Sequence, residues 1–230
     1  MMFTKKFNTS IMVVLFSFYF TPVNAEAPSG PHIEISAGYD SLSLGKGIDS
    51  SSGVRYGLEA GYDVPLGSSV ALGFNVGLSD TSAKSRQQIS VFIPGAGPVI
   101  SPFPPALPTP TRVIDIETSA GRELYVGGGL TASLSRKLNI SAKAGYTNLR
   151  LKTTAMVQST GAVVAGPISS GPLLAPISAT ASDNLNGVRL GFGGQLELTK
   201  SLFLGVEYSY ANYEADVSRN QLLTSLGVRF

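Results

Sequence analysis

Residues 53–64 read GVRYGLEAGYDV. Val54, Tyr56, Leu58, Ala60, Tyr62 and Val64 fall on one side of an extended chain, and Arg55, Gly57, Glu59, Gly61 and Asp63 on the other. Successive strand side chains point to opposite faces, so a two-residue period marks a half-apolar strand rather than a helix. The same period returns in VALGFNVGLS (70–79), LNISAKAGYT (138–147), VRLGFGGQLELT (188–199) and LFLGVEYSY (202–210). It runs through NQLLTSLGVRF (220–230) to the aromatic Phe230 at the carboxyl end. Eight strands are expected, at about 32–44, 53–64, 70–92, 112–134, 138–153, 184–199, 202–216 and 219–230.

Proline marks what lies between them. Pro94, Pro98, Pro102, Pro104, Pro105, Pro108 and Pro110 crowd one tract, and Pro167, Pro172 and Pro176 another. Proline removes a ladder donor, so sheet runs in the proline-free stretches. Long loops are therefore expected near 93–111 and 154–183. The links after strands two, four and six are tight (PLGSS, SRK, TKS), whereas those after the odd strands are longer or polar. An even number of strands with short turns at one end and long loops at the other is the layout of an outer-membrane barrel.

The amino end fits export. Lys5 and Lys6 precede the apolar run IMVVLFSFYF, and Val23 and Ala25 stand as small residues before a cut. This reads as a secretory signal peptide over 1–25, too short to span as a helix. A short leader, 26–31, would precede a barrel over 32–230. Cleavage after Ala25 removes two lysines and no acid, so the 17 basic residues fall to match the 15 acidic ones. A neutral chain argues against nucleic-acid binding. Charged residues make up only 14% of the chain, against about 25% in a typical soluble domain. There is no Cys, hence no disulfide, thiol nucleophile or thiolate metal site.

Alternation alone also fits a soluble barrel with its apolar face inward. Three features favour the inverse orientation. The polar face is mostly Gly, Ser, Ala and Thr, which suits a narrow lumen. Tyrosines on the apolar face (Tyr39, Tyr56, Tyr146, Tyr208 and Tyr210, with Tyr62 at the opposite end) suit interfacial girdles. The chain also carries the export segment and asymmetric ends already described. The expected fold class is all-β, an eight-stranded antiparallel up-and-down transmembrane β-barrel.

With an export signal, eight such strands and a last strand ending in Phe230, the chain resembles the small outer-membrane barrels: the OmpA transmembrane domain, OmpX and the opacity proteins. LGVEYSY (204–210) with NQLLTSLGVRF (220–230) is similar to the last hairpin of the opacity-like porin family. The resemblance covers the mature chain in pattern but only this hairpin in residues. It implies an outer-membrane location and a final strand, with Leu222, Leu226, Val228 and Phe230 on its lipid face, that is read by the barrel-assembly machinery. The proline tracts depart from the family pattern.

Turned inward, the polar face carries Glu34, Asp63, Glu197 and Arg229 near the turn end, Glu59, Lys143 and Glu207 midway, and Asp40, Arg55 and Arg189 above. Buried charges must pair. Both signs recur at each level, which favours a salt-bridged plug. The alternative is a small passive diffusion channel gated by Lys143 moving between Glu59 and Glu207. The single histidine, His32, is expected at the lower rim, and no catalytic constellation, metal site or cofactor is implied. The expected role is structural or at the cell surface. Its partners would be outer-membrane lipid and lipopolysaccharide, the assembly machinery, and a surface partner at the proline-rich loops. Arg150 and Lys152, beyond Tyr146 on the apolar face, would stand at headgroup height.

Overall fold

The computed structural model describes residues 26–45, 50–92, 111–160 and 177–230. The expected signal segment and the central parts of both proline tracts lie outside them. Among the described residues nine antiparallel strands form one sheet: β1 (Gly30–Ser43), β2 (Ser51–Pro65), β3 (Val70–Thr81), β4 (Lys84–Phe92), β5 (Thr111–Ser133), β6 (Leu138–Thr160), β7 (Ile177–Glu197), β8 (Leu202–Tyr213) and β9 (Ser218–Arg229). Each pairs with the next around a ring, with two exceptions that define the shape. β9 pairs with β1, and β3 pairs directly with β5. β4 therefore stands outside the closed wall, which is eight-stranded.

The expected third strand, 70–92, is thus divided. Its break at Ser82 and Ala83 is pinned: Ser82 exchanges hydrogen bonds with Val54, and the Ala83 N–H donates to Thr81 Oγ1 at 3.2 Å. Beyond it, β4 pairs with β5 alone. A second departure concerns the loop expected at 154–183. β6 stays paired with β7 from Val157↔Ile177 downward, so residues 154–157 and 177–183 are sheet. Backbone ladders continue there although ISATASDN has no strongly apolar face.

The wall is apolar outside and polar inside. Ile35, Phe74, Val126 and Phe192 are 57–62% exposed, while Asp40, Arg219 and Glu123 are 1% exposed or less. In water this would be inverted; in hydrocarbon it is the stable arrangement, because only the lumen offers charged groups a partner. The closing strand stays paired to its end. The Arg229 N–H donates to Ser201 O at 2.7 Å and the Phe230 N–H to Pro31 O at 3.0 Å.

Both mouths are covered. At the turn end the leader is tied across the opening: the Ala27 N–H donates to Ser68 O at 2.8 Å, and Ser133 Oγ donates to Glu26 O at 3.1 Å. At the other end Leu42, Leu44, Ala120, Leu149, Ala211, Tyr213 and Val217 form an apolar core, with Leu151 and Leu185 against it.

Glycines make room for the few large lumen side chains. Tyr125 lies against Gly127 and Gly145, and fully buried Phe203 lies against Gly227. A Cβ on Gly227 would overlap the Phe203 ring. Gly227→Val should lower stability by about 1–3 kcal/mol, the usual cost of overpacking. The urea midpoint of the refolded barrel in micelles, followed by its heat-modifiable gel shift, measures this. Gly67→Val, in open space on a turn, should leave that midpoint unchanged.

Candidate functional site

The lumen charges form three tiers. In the lowest, Arg229 donates from Nη1 to Glu197 Oε1 at 2.7 Å and from Nη2 to Asp63 Oδ2 at 3.4 Å. Its guanidinium lies 5.1 Å over the Phe203 ring. Asn139 Nδ2 adds a bond to Glu197 at 3.0 Å. His32 belongs to this tier rather than to the rim where it was expected. It is 6% exposed, with Nδ1 3.3 Å from Asp63 Oδ2 and its ring edge-on to Phe203. β1 already starts at Gly30, two residues earlier, which carries His32 into the wall.

The middle tier is built on a repulsion. Register places Glu34 directly opposite Glu59. Like charges facing across a strand pair destabilise it. Lys143 reaches across from β6 and offsets this: its Nζ lies 3.3 Å from Glu34, 2.8 Å from Glu59 and 3.1 Å from Glu207. Arg189 Nη2 donates to the other Glu207 oxygen at 2.6 Å and lies 4.8 Å over the Tyr125 ring. The proposed exchange of Lys143 between Glu59 and Glu207 meets a different geometry, because the ammonium holds both carboxylates at once.

Two residues that sequence reasoning missed dominate the top tier. Arg219 forks onto Asp40, from Nε to Oδ1 at 2.6 Å and from Nη2 to Oδ2 at 2.7 Å. Its Nη1 donates to Glu123 Oε2 at 2.5 Å. A two-point guanidinium–carboxylate pair is among the stronger charge-assisted contacts. Thr81 and Thr147 hydroxyls donate to the same two acids, at 2.6 and 2.8 Å. Arg55 Nε bonds Ser79 Oγ at 3.0 Å and lies 3.7 Å from Glu123. The signal for both was present: Arg219 lies two residues before inward Gln221, and Glu123 two before inward Tyr125.

Every expected inward charge therefore lies in a contact: Glu34, Asp40, Arg55, Glu59, Asp63, Lys143, Arg189, Glu197, Glu207 and Arg229. Tyr39, Tyr56, Tyr62, Tyr146, Tyr208 and Tyr210 all lie exposed on the outer wall. Tyr39 and Tyr208 share a row, both facing Leu222. Leu222, Leu226 and Val228 are on the outer face of β9, and Phe230 follows it, exposed.

A second site stands above the rim, where β4, β5, β6 and β7 continue as a four-stranded sheet. Its polarity is reversed. The face continuous with the lumen carries Ile89, Ile114, Ile116, Val157 and Ile177, and the outer face Lys84, Arg86, Gln88, Asp115 and Glu117. Glu117 pairs with Arg86 at 2.8 Å and Lys84 at 3.4 Å. The hydrogen bond from Arg86 holds its carboxyl below the usual value. Among the described residues, both edges of this sheet are open. β4 pairs only with β5, and β7 meets β8 only from Gly187 onward.

Arg219→Ala should cost about 3–5 kcal/mol, because Asp40 and Glu123 would remain buried without it. Arg86→Ala, removing an exposed pair, should leave the midpoint nearly unchanged. Urea titrations of the two refolded variants give the comparison; equal midpoints would contradict the tiered reading.

No curated protein sequence matches the chain. Among solved structures, Ail, the attachment invasion locus protein of Yersinia pestis, is 14% identical, with a TM-score of 0.51 over 88% of this chain and 100% of that one. Neisserial surface protein A is 12% identical, with a TM-score of 0.48 over 88% and 98%. The amino-terminal barrel domain of Pseudomonas aeruginosa OprF is 10% identical, with a TM-score of 0.40 over 88% and 100%. At such identities the likeness to Ail speaks for the fold alone. The family model described as the outer membrane protein beta-barrel domain matches residues 10–230. The chain belongs to that family of outer-membrane β-barrel proteins.

Proposed function

We propose that the chain is a sealed outer-membrane barrel that acts at the cell surface through the sheet β4–β7. One contrast carries this reading. Below the rim each described lumen carboxylate has a cation within 4 Å, whereas above it, among the described residues, a sheet presents two unpaired edges and an apolar face on which Ile89 and Ile177 are exposed. An open edge accepts an added strand through backbone hydrogen bonds, and an apolar face supplies pockets for alternate side chains. An extended polypeptide is the partner this geometry fits. Both proline-rich tracts follow these strands in sequence and carry no Lys, Arg, Asp or Glu over 93–110 and 161–176.

The signal segment is removed after Ala25, and the final strand with Phe230 is the feature read by the assembly machinery. The hydrogen bonds of Glu26 and Ala27 at the lower mouth support a mature chain that starts at the leader.

The refolded barrel should give no single-channel steps in planar bilayers; steady conductance would favour the diffusion channel. Cells displaying the protein should adhere to polypeptide-coated surfaces. Ile116→Glu with Ile177→Glu should reduce that adherence severalfold while leaving the urea midpoint unchanged. Deleting 95–108 and 163–174 in parallel separates the tracts from the sheet. Adherence that survives both changes would remove the proposal.

A further inference from the structure

We propose that Arg122, Arg150 and Lys152 form a phosphate site on the outer wall that holds the headgroup of a phosphorylated outer-leaflet glycolipid. The site begins with an irregularity. Across β5 and β6, Ala120 faces Leu151 and Glu123 faces Leu149, so Gly121 and Arg122 together oppose the single residue Arg150. A bulge of this kind bends the strand and re-aims a side chain. Leu149 and Leu151 pack into the upper core and Glu123 is buried in the lumen, so their neighbours Arg150, Lys152 and Arg122 lie on the other face, all three exposed.

Two arginines set against each other across a strand pair are unfavourable without an anion. No carboxylate among the described residues pairs with any of the three, although the nearby outer-face cations Lys84 and Arg86 are both paired with Glu117. Guanidinium forks match phosphate oxygens.

What lies beneath selects a lipid over a soluble anion. Read upward, the outer rows are Val126–Tyr146–Val188, then Leu124–Asn148–Asn186, then the bulge with Arg150–Asn184, then Ser119–Lys152–Ser182. Tyr146 Oη and Asn148 Nδ2 both donate to Asn186 Oδ1, at 2.6 and 2.8 Å. Arg150 stands four residues above Tyr146, about 13 Å along the strand. Apolar wall, polar amide row and unpaired cations follow in the order of acyl chain, linkage and phosphate in such a glycolipid.

The test uses the full mature barrel refolded in micelles and incubated with bis-phosphorylated lipid A, with its dephosphorylated form, or with phosphatidylglycerol at equal charge. Retained lipid per barrel is measured after affinity capture. The native protein should retain lipid A. R122Q/R150Q/K152Q should lose about tenfold of it, and dephosphorylated lipid A should not distinguish the two proteins. K84Q/R86Q should retain lipid A fully. If the triple variant does not fold, the single changes R122Q and R150Q should each lose severalfold. Equal retention by native and variant proteins would overturn the proposal. So would phosphatidylglycerol retained as well as lipid A, which would show general charge adsorption.

Discussion

Within hydrocarbon neither a backbone amide nor a side-chain charge finds water, and each left unpaired costs several kcal/mol. The rest of the molecule depends on that constraint. It requires the last strand to meet the first, which β9 does along its whole length. It also requires every ion in the lumen to carry its counter-ion with it. A buried pair is no strong source of stability in itself, since desolvation offsets most of the attraction. What the pairs do is exclude other arrangements, because any slip in register would separate charges that have no other partner.

The tiers also explain how a wall without a conventional core holds its shape. Lys143 and Arg219 cross the lumen and tie strands that are not neighbours in the sheet: β6 to β1 and β2, and β9 to β5. The leader below and the Leu42–Tyr213 core above close the space between them. Once the strands pass the rim, water returns and the rule reverses. Charge moves to the outer face of β4–β7, and apolar residues move to the face that continues the lumen.

How far the sequence could be read follows from the same physics. Where lipid lies on one side and a narrow lumen on the other, both faces are constrained, so the alternation in 53–64 or 202–210 is unambiguous and the faces follow residue by residue. Above the rim, neither face needs to be greasy, and ISATASDN (177–184) forms a ladder that its side chains do not announce. The break at Ser82–Ala83 and the bulge at Gly121–Arg122 were also invisible, since a single inserted or skipped residue leaves the local composition unchanged. Glu123 and Arg219 keep the period of Tyr125 and Gln221 and are legible from it, although one stands just after that bulge and the other at the start of the last strand. His32 stands near the end of a strand in the sequence pattern, and a strand start at Gly30 puts it inside.

The fork between Arg219 and Asp40 joins residues 179 positions apart in the chain. Asp40 and Glu123 are made early, on β1 and β5, and their shared cation arrives only with β9. Ionic neutrality and edge sealing are therefore completed by one event, the arrival of the final segment. A prematurely terminated translation product lacks both. Its β1 edge stays unpaired and Asp40 keeps no cation, while Glu123 retains Arg55 alone.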